Sequence, residues 1–181
     1  RHFSEDGEFV DTLDGFELPV AEVAEAFEQG FLKSTILAGD DTLDARTRAY
    51  DATVNDRLES GAGGDAIYAG SGNDRLIGDR RLRESGDDKL YGGLGNDRFF
   101  SGGGSDYISG GRGTDMAAFP ALFRDLAIAS NGSGGFTVTW QHGIATLKGI
   151  ERIGADDGIF KRTASGGWRK FSSAPGVARA M

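Results

Sequence analysis

The sequence predicts an all-β fold: a solenoid of short parallel strands, with a helical cap at its N-terminal end and an antiparallel β cap at its C-terminal end. Three observations predict the solenoid. Through the middle of the chain aspartates recur nine residues apart, glycines cluster ahead of them, and an apolar residue follows two positions after each. Self-similarity at a fixed period marks a stack of small units, each of which buries its apolar side chain only against its neighbours.

The series is Asp41, Asp56, Asp65, Asp74, Asp88, Asp97, Asp106 and Asp115, and its cleanest unit reads Gly92-Gly93-Leu94-Gly95-Asn96-Asp97-Arg98-Phe99-Phe100. Ser60 to Tyr68, Ala69 to Ile77, Ser101 to Ser109 and Gly110 to Ala118 hold the same register, with glycine fourth, aspartate sixth and Ile, Leu or Ala eighth. A flexible acidic linker is the competing reading, because glycine and aspartate are both common in disordered chains. A linker has no reason to keep an apolar residue in phase over consecutive units, whereas a packed solenoid requires it.

Glycines at positions one, two and four admit backbone angles closed to other residues, so six residues can wrap into a tight turn with carbonyls facing inward. A calcium ion takes six to eight oxygens at roughly 2.3 to 2.6 Å, from carboxylates and backbone carbonyls alike. The candidate metal ligands are therefore the eight aspartates, together with turn residues Gly92, Leu94, Gly95, Ser101, Gly103, Gly110 and Arg112. Asp97, Asp106 and Asp115 close the intact turns. Positions seven to nine form a short strand whose eighth side chain points in and whose seventh and ninth point out. Leu43, Leu58, Ile67, Leu76, Leu90, Phe99, Ile108 and Ala117 make the core file.

The phase breaks twice. Asp41 and Asp56 lie fifteen residues apart and Asp74 and Asp88 fourteen, so loops of six and five extra residues enter there. Val54 also stands where the fourth glycine of its unit belongs, and the turn ending in Asp88 takes its first residues from around Gly78 and Asp79.

The pattern Gly-Gly-x-Gly-x-Asp-x-apolar-x resembles the RTX, or haemolysin-type, calcium-binding repeats of proteins exported by type I secretion, over about Gly39 to Ala118. The resemblance implies a right-handed parallel β-roll, two units to a coil, with each ion held between successive turns of one side. Alternate aspartates would share a stack: Asp41, Asp65, Asp88 and Asp106 on one side, Asp56, Asp74, Asp97 and Asp115 on the other, with up to about six calcium ions. It further implies a secreted, extracellular module whose partners are calcium and the type I secretion apparatus.

The flanks read differently. In segment 1–38, Val20, Val23, Ala24, Phe27 and Phe31 fall at helical spacing behind Pro19, which suits a capping helix or the tail of an upstream domain. After the roll, 39–118, the segment 119–160 carries longer strands at Leu126 to Ser130, Phe136 to Trp140 and Ile144 to Leu147, and a closing stretch from Gly149 to Ile153. Asp156 and Asp157 read as a turn. Segment 161–181 has five bases, no acids and no sustained periodicity, and is expected to be a flexible tail with a weak likeness to a secretion signal.

Composition bounds the function. The 181 residues are 38% hydrophobic, little for a large core, so bound metal is expected to supply part of the stability. Ten-fold saturation of one site contributes about 1.4 kcal/mol by mass action, and six such sites about 8, against a net domain stability of roughly 5 to 15 kcal/mol. Segment 1–38 has nine acids against two bases, the roll fifteen against ten and the remainder four against eight, for a net charge of -8 that argues against nucleic acid. There is no cysteine, consistent with stabilisation by metal rather than disulfides. No apolar run approaches the roughly 20 residues of a spanning helix, and a chain that begins with Arg1 is expected to be part of a longer product.

No catalytic constellation stands out. There is neither a His-Glu-x-x-His nor a Gly-x-Ser-x-Gly motif, and the two histidines, His2 and His142, lie far apart, so the segment itself is expected not to be an enzyme. A file of Arg57, Arg75 and Arg98 near Phe100, with Tyr68 and Tyr91 stacked opposite, offers an alternative role in adhesion, assembly or binding of an acidic polysaccharide. The plainer reading is a solvated face whose arginines pair in part with Glu59.

Overall fold

A three-residue strand has one inward side chain, so each repeat contributes a single core residue and the stack alone makes a core. In the computed structural model this happens in two parallel sheets. The structure describes residues 40–46, 55–79, 86–132 and 134–173, with short strands at 2–3, 9–10, 12–13, 16–17 and 37–38. The helix expected between Val20 and Phe31 lies outside the described residues, and among them there is no α-helix.

Four two-residue strands pair antiparallel near the start: β1 (His2–Phe3) with β2 (Phe9–Val10), and β3 (Thr12–Leu13) with β4 (Phe16–Glu17). β5 (Leu37–Ala38) leads into the roll, whose strands are β6 (Thr42–Asp44), β7 (Arg57–Glu59), β8 (Gly61–Ala62), β9 (Ala66–Ser71), β10 (Arg75–Ile77), β11 (Lys89–Leu94), β12 (Arg98–Phe100), β13 (Gly104–Arg112) and β14 (Met116–Ala118). Strands β6, β9, β11 and β13 pair in parallel as one sheet, β7, β10, β12 and β14 as the other, and β5 runs parallel to β8.

Register aligns the core file. Leu43, Ile67, Leu90 and Ile108 are Cα partners down one sheet, and Leu58, Leu76, Phe99 and Ala117 down the other. All eight belong to one apolar cluster, Leu43 half-buried at its end. Outward alternation holds for Tyr68, Tyr91 and Ser109, which stay half-exposed. It fails on the second sheet, where the ninth residues Glu59, Ile77 and Phe100 are buried.

Beyond Ala118 both sheets continue and change direction. β15 (Ala127–Ser130), β16 (Phe136–Trp140) and β17 (Gly143–Lys148) extend the first sheet; β17 pairs in parallel with β13, and β16 and β15 follow antiparallel. β18 (Arg152–Ala155), β19 (Gly158–Arg162) and β20 (Trp168–Ser172) extend the second in the same manner, from a parallel pairing with β14. The core runs on through Phe119, Val138, Trp140, Leu147 and Ile153, with Phe119 edge-on to Trp140 at 4.8 Å.

One expectation changes here. The tail expected to be flexible from 161 onward begins with a strand hairpin, because Trp168 packs on the core and meets the Phe136 ring edge-on at 5.5 Å. Asp156 and Asp157 form the turn between β18 and β19, where Asp157 Oδ1 accepts the Phe123 N–H at 2.9 Å.

Among the described residues Phe99 and Phe119 are the largest fully buried side chains, and Phe99 sits between Leu76 and Ala117 in register. Phe99→Ala is expected to cost about 3 to 5 kcal/mol in denaturant unfolding of the folded chain. Arg98→Ala, one residue away and exposed, should stay within about 0.5 kcal/mol.

Candidate metal centre

The turns depend on glycine in two distinct ways. Positions two and four adopt positive φ, as at Gly93 (114°) and Gly95 (123°), where a side chain would strain the backbone whatever the space. Position one does not, which corrects the expectation that all three glycines serve backbone angles. Its glycine gives room. A Cβ on Gly92 would overlap Asp97 Oδ2 and stand 2.8 Å from the Gly110 carbonyl oxygen, one coil on; a Cβ on Gly78 would overlap Asp88 Oδ2 and stand 2.8 Å from the Ser101 carbonyl oxygen. Each first glycine therefore opens a cradle in which the carboxylate of its own turn faces a carbonyl of the next.

The sixth-position aspartates stack by hydrogen bonds. On one side Asp41 N–H donates to Asp65 Oδ1 at 2.8 Å, Asp65 to Asp88 at 2.9 Å and Asp88 to Asp106 at 3.1 Å. On the other Asp56 donates to Asp74 at 2.8 Å, Asp74 to Asp97 at 2.9 Å and Asp97 to Asp115 at 2.8 Å. These are the two groups of alternate aspartates, with Asp41 and Asp56 at the starting ends. The backbone amide uses Oδ1 in every rung, which leaves Oδ2 turned into the cradle. The Oδ2 atoms of Asp65, Asp74, Asp88, Asp97, Asp106 and Asp115 are buried and accept no hydrogen bond.

An anionic oxygen buried without a partner is costly, and a cation bound by oxygen is what removes that cost. The cradles fit calcium: hard oxygen donors, mixed carboxylate and carbonyl, from turns one coil apart. Among the described residues no three acidic or histidine side chains converge on a point, so backbone oxygens would have to complete each shell. Of the turn residues named from sequence, Gly110 and Ser101 direct carbonyls at the cradles, while the Leu94 and Arg112 carbonyls accept the Gly72 and Gly95 amides at 2.9 Å. Gly95 supplies a positive-φ turn position, and Gly103 is buried within its turn.

The insertion before Asp88 leaves its turn intact in outline. Gly78 lines the cradle of Asp88, and Asp79 Oδ2 accepts the Gly86 N–H at 2.8 Å, which ties the two ends of the insertion together.

Residues 53–80 and 84–117 match the family model of the RTX calcium-binding nonapeptide repeat, which spans four copies. These are RTX repeats. No curated protein matches the chain significantly. Among solved structures it is similar to the extracellular lipase LipA from Serratia marcescens, at 21% identity and a TM-score of 0.36, over 73% of this chain and 21% of that one, so that it spans about a fifth of the lipase. The matched repeat is a calcium-binding one. Among the described residues no helix is long and apolar enough to cross a membrane.

Two features of the RTX turns were not anticipated. A second ladder runs through position five, in the opposite sense: Asn73 N–H donates to Asn55 Oδ1 at 2.6 Å, Asn96 to Asn73 and Thr114 to Asn96 at 2.8 Å. The recurrence of Asn immediately before the sixth-position Asp, at 55, 73 and 96, is its sequence signal. The other is Glu151, outside the repeats, whose Oε2 accepts the Asp115 N–H at 2.9 Å and so ends the second aspartate ladder.

Burial raises the carboxyl pKa values throughout the RTX stacks. Asp88 is pushed up to about 8, chiefly by desolvation, with the Asp65 amide opposing and Asp79, Asp106 and Asp65 adding repulsion. Asp97, Asp106 and Asp115 rise to about 6 and Asp65 and Asp74 move in the same direction, desolvation leading in each. A folded-state pKa above the ordinary 3.8 means that the metal-free fold binds more protons than the unfolded chain. Its stability is therefore greatest below about pH 4 and is lost as pH rises through the window toward 6 to 8. In chelator, the far-UV sheet signal should therefore be greater at pH 5 than at pH 8. The calcium concentration at half-saturation should move the other way and increase on acidification, because protons compete for the same oxygens.

Proposed function

We propose that the chain is a calcium-triggered folding module of a larger type I secreted protein: unfolded at low cytosolic calcium, exported in that state, and folded on meeting extracellular calcium. The observation that carries this reading is the set of six buried Asp Oδ2 atoms without a hydrogen-bond partner, three of which, in Asp88, Asp97 and Asp115, lie in cradles that a Cβ on the first glycine would fill. Asp65, Asp74, Asp88, Asp97, Asp106 and Asp115 would hold calcium through Oδ2, with the Ser101 and Gly110 carbonyls among the remaining donors. Calcium supplies the positive charge that lets these carboxylates stay ionised inside the stack. The chain's own residues do the rest: Oδ1 ties in the preceding coil through its amide, the first glycine at Gly78, Gly92 and Gly110 keeps the cradle open, and the eighth residue closes the core beneath it.

In the same reading segments 1–38 and 119–160 cover the two ends of the solenoid, which would otherwise expose strand edges and apolar side chains to other chains. Any catalytic activity belongs to other parts of the secreted protein. The adhesion or glycan-binding alternative asks for a freely presented arginine file. Arg57, Arg75 and Arg98 are in register, but Arg57 Nη2 meets Glu59 Oε2 at 3.5 Å and Arg75 is half-buried, which favours the folding module.

Asp106→Asn retains an Oδ1 acceptor for the Asp88 amide and removes the charge. Isothermal titration calorimetry should show at least one ion fewer per chain and a calcium midpoint for folding about tenfold higher, equivalent to about 1.4 kcal/mol. Asp125→Asn, on an exposed carboxylate outside the stacks, should leave both unchanged. An Asp106→Asn protein with wild-type stoichiometry and midpoint would contradict the assignment.

A further inference from the structure

The matched repeats end at residue 117, yet the second aspartate ladder does not end with them. Asp115 N–H donates to Glu151 Oε2 at 2.9 Å, as Asp97 N–H donates to Asp115 Oδ1 at 2.8 Å. Backbone pairing repeats the likeness: Arg152 N–H reaches the Asp115 carbonyl at 3.0 Å, where Met116 N–H reaches the Asp97 carbonyl at 2.9 Å. Glu151 thus occupies position six of a further turn. The following Arg152 and Ile153 pair with Met116 and Ala117, and the preceding Lys148 pairs with Ser109.

That turn is shorter than a repeat. From Gly110, which follows Ser109, the chain takes five steps to Asp115; from Gly149, which follows Lys148, it takes two to Glu151. Three residues are missing, and the carboxylate arrives on a side chain one methylene longer. The cradle nevertheless reappears. A Cβ on Gly110 would overlap both Asp115 Oδ2 and the Gly149 carbonyl oxygen, the same pairing that Gly92 makes with Asp97 Oδ2 and the Gly110 carbonyl. Asp115 is fully buried and its Oδ2 accepts no hydrogen bond.

We infer that Asp115 Oδ2, the Gly149 carbonyl and the Glu151 carboxylate form a terminal calcium site, built half from the last repeat and half from a non-repeat segment. The inference rests on the calcium reading of the repeats and extends it past their end. Its role follows from position: Glu151 leads directly into β18, so a cation held there pins the β18–β19 hairpin to the last coil and closes the stack with the interaction that builds it. A longer glutamate in a shortened turn reaches the same cradle, which explains why the nonapeptide pattern does not reveal the site.

Two measurements test it. In a crystal structure of the wild-type chain with calcium, anomalous difference density should lie between Asp115 and Gly149–Glu151, within about 2.3 to 2.6 Å of Asp115 Oδ2 and the Gly149 oxygen. Density in the repeat cradles with none here would overturn the terminal site and leave the repeat reading standing; density in neither would overturn both. In solution, Glu151→Gln keeps an acceptor for the Asp115 amide. It should bind one ion fewer than wild type by calorimetry and lose hydrogen-exchange protection first at 152–155. Unchanged stoichiometry in a wild type that does bind calcium would overturn the terminal site alone.

Discussion

In Asp65, Asp74, Asp88, Asp97, Asp106 and Asp115 the carboxylate divides its two oxygens between two tasks, and the structure depends on that division. Oδ1 accepts the amide of the aspartate one coil earlier in a hydrogen bond of 2.8 to 3.1 Å, which ties each coil to the next. Oδ2 is buried and accepts no hydrogen bond, and in Asp88, Asp97 and Asp115 it shares its cradle with a carbonyl of the next coil. In the proposed reading this ladder is completed by a cation, which makes folding conditional on that cation. Burial of the same carboxyls raises their pKa values, so protons and calcium compete for one set of oxygens.

The apolar core is subordinate to this constraint. One inward residue per repeat gives two files, Leu43 to Ile108 and Leu58 to Ala117, a thin core beside two stacks of carboxylates that the proposed cation would neutralise. Beyond Ala118 the balance reverses. The aromatic cluster of Phe119, Phe123, Trp140, Phe160 and Trp168 provides conventional packing, with Phe123 and Phe160 rings stacked at 3.6 Å. The two ways of making a core meet on continuous sheets, since β17 and β18 pair directly with the last strands of the roll.

The solenoid was legible because its periodicity is carried by chemistry that cannot be substituted freely. Asp at six, glycine at two and four, and an apolar residue at eight each answer a separate physical demand, and together they place the turns, the core file and the two stacks. The insertion before Asp88 did not hide its turn, since Gly78 still lines the cradle. Where the demand can be met in more than one way the pattern fades. Position five accepts Asn, Asp, Ser, Thr or Gly, so its ladder was not seen. Glu151 answers the demand of position six with a different side chain on a shorter turn. Residues 161–173 lack periodicity because Trp168 is held by ring contacts from other strands, a tertiary cause that local sequence does not carry.

The most direct test of the account is far-UV circular dichroism during calcium titration of the chelator-treated chain at neutral pH, with magnesium as control. The account predicts a steep gain of sheet signal at roughly 0.1 to 1 mM calcium, the range of extracellular calcium modules, and no such gain with magnesium. A chain that shows its full sheet signal in chelator, unchanged by calcium, would contradict the claim that the stacked carboxylates require a cation to fold.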